Sequence, residues 1–475
     1  MIDQKSKNAI LWTTIERFSV QGMQFVLGII IARILLPEDY GLVAMLNIFT
    51  AIAQSLIDSG FSNALIQKKD RNQIDYSTVF FFNIFIGAVC YILIFVFSNY
   101  IASFYNEPQL VSIARVVGLN FLITSFSMVQ RTKMIIEMKF DIIAKITLFS
   151  TLLSGGVALY LSLAGFGVWT LVFQLLINNA IMTILLHIFS RWCPSMLFSL
   201  ESFNNLFSFG SKLLIGGLIH TIYTNLYSLV IGKKYLATDL GIFNRSFSFA
   251  NVISGNVTSV MERTFYPIGC QMQNDDTELK LYFIKSIRLS SFVLFPLMFL
   301  LSVLSKPLIL LLLSDKWIEV SSLLPIMCYA YMWDVIMRLN WNLLNIKGRT
   351  DYSLKSEILK KIASIAILII TIPFGLKIMC LGLILYSFAD LVIVTRFTKK
   401  LLNLTLYEEV KSVFPFFTYS LLMTVVVYIF CILIDNPFAQ LFVGGTLGLL
   451  IYSGSLYLNS IPEILSIVNY FKNRV

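Results

Sequence analysis

Residues 78–98 read Thr-Val-Phe-Phe-Phe-Asn-Ile-Phe-Ile-Gly-Ala-Val-Cys-Tyr-Ile-Leu-Ile-Phe-Val-Phe-Ser, and not one of these side chains is charged. A helix rises 1.5 Å per residue, so about 20 apolar residues cross the ~30 Å hydrocarbon core of a bilayer. Similar runs centre on 13–33, 40–58, 110–130, 144–163, 168–189, 209–231, 240–262, 286–305, 320–343, 360–376, 378–396, 414–434 and 438–458. The expected fold is an all-α polytopic membrane protein with about 14 transmembrane helices. A membrane barrel would instead alternate apolar and polar residues in segments of ~10.

Composition agrees. Of 475 residues, 57% are hydrophobic and only 13% charged, where soluble domains carry roughly 25% charged residues. That excludes an ordinary cytosolic enzyme, a disordered chain and a disulfide scaffold. The net charge of +10 fits cytoplasmic loops rich in Lys and Arg, and no basic tract points to nucleic acid. With the N-terminus inside, the odd-numbered loops hold only Arg33, Lys233, Lys234, Lys306, Lys316 and Lys377. Both termini are therefore expected in the cytoplasm of a multi-pass inner-membrane protein. The start, Met1 to Lys7, leads into a spanning helix rather than a cleaved signal. The six cysteines are scattered, mostly in apolar runs, with no metal-ligand spacing. Neither a metal nor a cofactor is expected.

The chain repeats weakly at an offset of 200 residues: Ile31, Leu36, Asp39 and Gly41 meet Ile231, Leu236, Asp239 and Gly241. Six spans separate the copies, so both run the same way across the membrane, as in a parallel repeat. The expected organisation is an N-terminal lobe over 1–199, a C-terminal lobe over 200–405, and a helix pair with a tail over 406–475. Residues 195–209 and 461–474 have amphipathic spacing that suits helices lying in the interface.

Polar residues within spans carry the functional information, because an ionisable group in the bilayer needs a partner or water. Positions i, i+4, i+7 and i+11 share a helix face. Arg17, Gln21, Gln24 and Gly28 form one such face, and its repeat mate is Gly217, Thr221, Thr224 and Ser228. Asn47, Ala51, Gln54 and Asp58 form another, with the mate Phe247, Asn251, Ser254 and Thr258. Asp334, Arg338, Trp341 and Asn345 form a fifth. Hydroxyls and amides also serve as glue between helices. Arginines demand more. Arg17, Lys212, Arg245 and Arg338 are the candidate lining of a cationic cleft, since Arg binds phosphate through paired N–H donors. Gln21, Gln24, Asn47, Gln54, Thr221, Thr224, Asn251, Asn345 and Trp341 are its candidate polar walls.

Glu16, Asp58, Asp334 and Asp390 are candidates for binding a coupling cation, H⁺ or Na⁺. Asp334 and Arg338 are spaced i, i+4, so an internal ion pair stands beside a direct substrate role. Arg115 begins a span and is expected to snorkel toward headgroups. Trp333, Trp341, Tyr223 and Tyr227 have the chemistry to stack on sugar rings, although each suits core packing as well. No enzyme signature occurs: there is no phosphate-binding glycine loop, no HExxH, and only His187 and His220 as histidines. Transport is what remains.

One stretch resembles a known family. Ala32-Arg33-Ile-Leu-Leu-Pro37-Glu38-Asp39-Tyr40-Gly41-Leu-Val-Ala-Met, followed by Asp58-Ser-Gly60-Phe-Ser-Asn-Ala64-Leu-Ile-Gln67, is similar to the signature of the polysaccharide-exporting flippases of the MOP superfamily, particularly their Wzx-type lipopolysaccharide and colanic-acid group. Phe104-Tyr105-x-x-Pro108, Gln130-Arg131 and Gly348-Arg349 also fit. Leu36 departs from the pattern, which often has Gly there and so implies a stiffer turn.

The resemblance implies a transporter of undecaprenyl-diphosphate-linked oligosaccharide units. It implies alternating access around a central cationic cavity, in the service of O-antigen, capsule or exopolysaccharide assembly. The expected partners are that lipid-linked oligosaccharide, membrane lipids, and polysaccharide polymerase or export proteins. A MATE-like cation-coupled multidrug exporter is the alternative, and it would need an anionic cleft. A membrane polymerase or ligase would need a large outer loop, and every outer loop here is short.

Overall fold

The computed structural model describes residues 4–459 and 461–463; the side chains of 4–11 and 13–18 lie outside that description. Among the described residues every regular element is helical. Backbone contacts divide the chain into two compact units, Met1–Gly241 and Ile242–Val475.

The first unit holds α1 (Gln4–Ile34), α2 (Pro37–Met45), α3 (Asn47–Asp58), α4 (Phe61–Gln67), α5 (Gln73–Tyr105), α6 (Leu110–Ile136), α7 (Phe140–Leu163), α8 (Val168–Ser190), α9 (Leu200–Thr224) and α10 (Leu226–Lys234). Helix α11 (Ala237–Gln271) begins here and continues into the second unit. There α12 (Asp276–Val303), α13 (Ser305–Leu312), α14 (Val320–Tyr331), α15 (Asp334–Ile346), α16 (Thr350–Thr371), α17 (Leu376–Leu402), α18 (Leu406–Leu433) and α19 (Pro437–Leu458) follow. Among the described residues ten helical segments, with α14 and α15 taken together as Val320–Ile346, are long and apolar enough to cross a membrane, and the pair Ser19–Ile34 and Pro37–Met45, bent by 118°, is an eleventh candidate. On α5, Ile92, Val96 and Phe97 are at least half exposed, as side chains facing lipid tails would be.

Proline chemistry makes the bend. Pro37 has no N–H to continue α1, and its fixed φ suits the first turn of a new helix. The Asp39 carboxylate then accepts from the Leu36 N–H at 2.9 Å, and Asp239 accepts from Leu236 at 3.1 Å in the repeat copy. Both turns are thus closed by the same acid at the third helical position. Leu36 has φ −92° and ψ 155°, an extended geometry open to any residue. The turn therefore has no need of the glycine that the signature often carries.

In the first unit, α5 lies along α6, α6 along α8, and α1 along α7. A core of Phe61, Tyr76, Phe80, Val129, Trp192 and Leu206 gathers at one end. Asn72 caps α5, accepting from the Asp75 N–H, while Asp75 accepts from Asn72 and from Lys68 at 2.7 Å. The amphipathic stretch 195–209 does not form a helix of its own. Residues 191–199 run without helix, and α9 starts at Leu200 and continues unbroken to Thr224. Polar bonds pin the connection to the start of α5: Trp192 donates to Gln73, Gln73 to the Cys193 carbonyl, and the Ser199 N–H to Thr78. The second amphipathic stretch, 461–474, falls almost wholly outside the described residues.

The second unit packs α12 on α18 and α14, α16 on α17, and α18 on α19. Phe295, Trp333 and Phe417 form its aromatic centre, with ring centroids 5.3 to 6.3 Å apart. Trp333 is thereby a core residue.

Candidate functional site

The richest polar assembly lies inside the second unit, on α11, α15, α16 and α17. Thr258 donates to Asp334 at 3.4 Å, and Asp334 lies 3.8 Å from the Arg338 guanidinium, one helical turn away. That second distance exceeds a hydrogen bond. The Arg338 side chain is 53% exposed. Glu262, Glu357 and Asp390 act on it electrostatically as well. Trp341 and Asn345 are half-buried on the same face of α15.

Beside this group Lys360 is buried. Its ammonium is 3.1 Å from Asp390 and 3.2 Å from Glu357. The sequence pattern puts Lys360 at the edge of a span, because the apolar run starts there. In the structure α16 begins at Thr350, a decade earlier, and this draws Lys360 into the helical bundle. The spacing of Glu357 and Lys360, three residues apart, was the available signal. A second pair also escapes the sequence: Asn340 donates to Glu409 at 2.8 Å with both side chains buried. Elsewhere in this unit the Arg245 guanidinium lies 5.3 Å over the Trp317 ring, and Asn251 is exposed.

In the first unit the α9 face meets α3 through a residue beside the expected α3 stripe. Ser55 and Thr221 share a hydroxyl–hydroxyl bond of 3.3 Å between α3 and α9. Gln54, next to Ser55, points instead to the Met128 sulfur on α6. Asp58 accepts from Ser62. Gly60 and Gly210 meet so closely that a Cβ on Gly210 would lie 2.6 Å from the Ser59 carbonyl oxygen. Lys212, Gln24, Asn47 and Thr224 are exposed, and Gln21 is half-buried. The Thr224 hydroxyl is spent on its own helix, donating to the His220 and Thr221 carbonyls. The Glu16 and Arg17 side chains lie outside the described residues. Arg115 is anchored in place, donating to Ser98 at 3.0 Å and lying 4.5 Å over Phe95.

The chemistry differs between the units. Around Arg338 and Lys360 the carboxylates outnumber the cations, so this region is a mixed-charge network rather than a bare basic wall. Lys360 is saturated by two acids. Arg338, with a long contact to one acid and half its surface open, keeps donors for an oxyanion.

The chain belongs to the family of polysaccharide biosynthesis proteins, whose model matches residues 30–322. Its relatives include the teichuronic acid biosynthesis protein TuaB of Bacillus subtilis (strain 168), 27% identical over 72% of this chain and 71% of that protein. The lipopolysaccharide biosynthesis protein WzxC of Escherichia coli (strain K12) is 26% identical over 77% of this chain and 75% of its own. Among solved structures, the lipid II flippase MurJ in an inward closed conformation covers 94% of this chain and 98% of its own, with a TM-score of 0.76 at 14% identity. That likeness is one of fold. Together these findings bear out the resemblance read from residues 32–69.

Proposed function

We propose that this protein flips undecaprenyl-diphosphate-linked oligosaccharide units from the cytoplasmic to the outer leaflet of a bacterial inner membrane by alternating access. It supplies polysaccharide assembly and performs no covalent chemistry. In this reading Arg17, Lys212, Arg245 and Arg338 meet the diphosphate at successive depths while the isoprenoid tail stays in lipid. The polar residues of the two repeat faces line the path. Fourteen spans, both termini in the cytoplasm and two six-helix lobes over 1–199 and 200–405 complete the reading. Family membership and the names of the relatives support the substrate class.

The observation that carries the reading is Arg338. It sits within an apolar span with half its side chain open, and among the described residues no hydrogen bond saturates it. Desolvating an arginine there is costly unless an anion or water compensates. Export assays in a strain lacking this protein test the idea. Complementation with the native chain should clear unpolymerised repeat units from the cytoplasmic side. Arg338→Ala and Arg245→Ala should each impair export at normal protein levels. Full export by both single variants and by the double variant would overturn the site.

The runner-up, a cation-coupled exporter of organic cations, is favoured by the carboxylates around Lys360. Resistance to cationic dyes conferred by the native chain, without rescue of polysaccharide export, would select it. Coupling to H⁺ or Na⁺ through Glu16, Asp58, Asp334 or Asp390 belongs to either reading.

A further inference from the structure

A groove of about 600 Å³ runs between α16 and α17 at the end of the second unit. Its walls hold Arg396, Lys399 and Lys400 together with Leu359, Ile393 and Phe397. Ile393, Arg396, Phe397 and Lys400 are spaced i, i+3, i+4 and i+7, so one face of α17 presents both cations and apolar surface. Among the described residues none of the three cations forms an ion pair. The nearby Asp351 is taken by Arg349 in a two-pronged bond of 2.8 and 2.9 Å. The Lys400 ammonium stands 5.7 Å from the Phe397 ring and 5.8 Å from Tyr352. The negative end of the α17 dipole favours basic residues here, but it explains neither the cavity nor its apolar strip.

We propose that this groove binds an anionic phospholipid, its phosphodiester held by Arg396, Lys399 and Lys400 and an acyl chain laid on Leu359, Ile393 and Phe397. The placement supports a lipid over a soluble phosphate. Helix α17 spans Leu376–Leu402 and is apolar enough to cross the bilayer, so its last turns fall at headgroup depth. A free phosphate would use the cations and leave the apolar strip empty. Basic pockets between spanning helices are suited to such headgroups.

The full-length protein, taken from nanodiscs of equal phosphatidylglycerol and phosphatidylcholine, would be released into mild detergent and its retained lipids counted by native mass spectrometry. The native chain should retain phosphatidylglycerol in preference. The triple variant R396Q/K399Q/K400Q should lose at least about tenfold of that preference. A control removing the same charge elsewhere, R131Q/K139Q/K145Q, should change it far less. Ile393→Asn, which leaves the charge intact, should also weaken retention, and it carries the test if thermal unfolding shows the triple variant to be misfolded. Equal losses in both triples would overturn the groove in favour of a diffuse basic surface. Displacement of the lipid by millimolar glycerol phosphate would overturn the acyl contact, and no preference in the native chain would overturn the whole proposal.

Discussion

Gly41 lies against the backbone carbonyl of Ala237, and no side-chain carbon fits between them. The relation is reciprocal, because Gly241 lies against the carbonyl of Pro37. Pro37 and Ala237, like Gly41 and Gly241, are equivalent positions of the 200-residue repeat. The two turns therefore meet through a local two-fold relation, each placing its glycine on the first helical residue of the other. Close approach, rather than an unusual φ, is what demands glycine here.

Alanine at either position should consequently overpack the contact. Gly41→Ala and Gly241→Ala are each expected to destabilise the protein by about 1–3 kcal/mol. Gly156→Ala is the control: it has no neighbour within 4 Å of the added carbon, and the helix gains roughly 0.5–1 kcal/mol from losing a glycine. Thermal unfolding in detergent should place both repeat variants below the native chain and Gly156→Ala level with it or above. Native-like stability in both repeat variants would show that the two turns separate without loss.

Much of this was legible because it is local. Apolar length alone marks α5, and Pro37 with Asp39 marks the turn. The α9 stripe is joined to α3 through Thr221, but its partner is Ser55, which lies beside the α3 stripe, while Gln54 of that stripe bonds Met128. Pairings made by tertiary packing were not legible. Asn340 and Glu409 are far apart in sequence, and nothing local couples them. Lys360 stands first in the apolar run 360–376, which by itself marks only the edge of a span, whereas helix α16 starts at Thr350 and carries it into the bundle. The amphipathic look of 195–209 mixed a pinned connection with the first turns of α9.

Lys360 and Asp390 give the next prediction. Their side chains are only 8% and 10% exposed, so removing one partner strands a charge. Such losses cost about 3–5 kcal/mol, whereas replacing both by apolar residues is often neutral. Lys360→Met should be the worse single change, since it leaves both Asp390 and Glu357 without their cation. Asp390→Leu should cost less, because Lys360 keeps Glu357 at 3.2 Å. The double variant should recover most of the loss. A double-mutant cycle on urea or thermal unfolding reads this directly, and additive losses would mean that the pair is not coupled.

Arg288 holds Glu463 through two bonds of 2.6 and 2.9 Å. Burial alone would raise this carboxyl, but the bonds from Arg288 and the backbone hold it below its ordinary value. A depressed carboxyl contributes stability above its unfolded value, and the contribution fades as pH falls through the folded one. Amide protection around Glu463, measured against the intrinsic exchange rate at each pH, should therefore be high at neutral pH and fall on acidification below about pH 4. Arg288→Gln should show low protection already at neutral pH. An acid response unchanged in that variant would assign the effect to another group.

Asp334 should compete with substrate for Arg338. The two charges are 3.8 Å apart, beyond hydrogen-bond reach, with side chains 53% and 27% exposed, so the pair is partly open and loosely held. Neutralising the acid then frees the guanidinium at little structural cost. Asp334→Asn should tighten binding of a lipid-linked diphosphate to the purified protein by roughly two- to fivefold. Arg338→Ala should weaken it strongly, and Arg338→Lys should restore only part, since an ammonium lacks the paired donors of the fork. The two variants should thus move affinity in opposite directions. If Asp334→Asn instead weakens binding as much as Arg338→Ala does, the pair acts as a structural clamp on α15 and the diphosphate contact lies elsewhere.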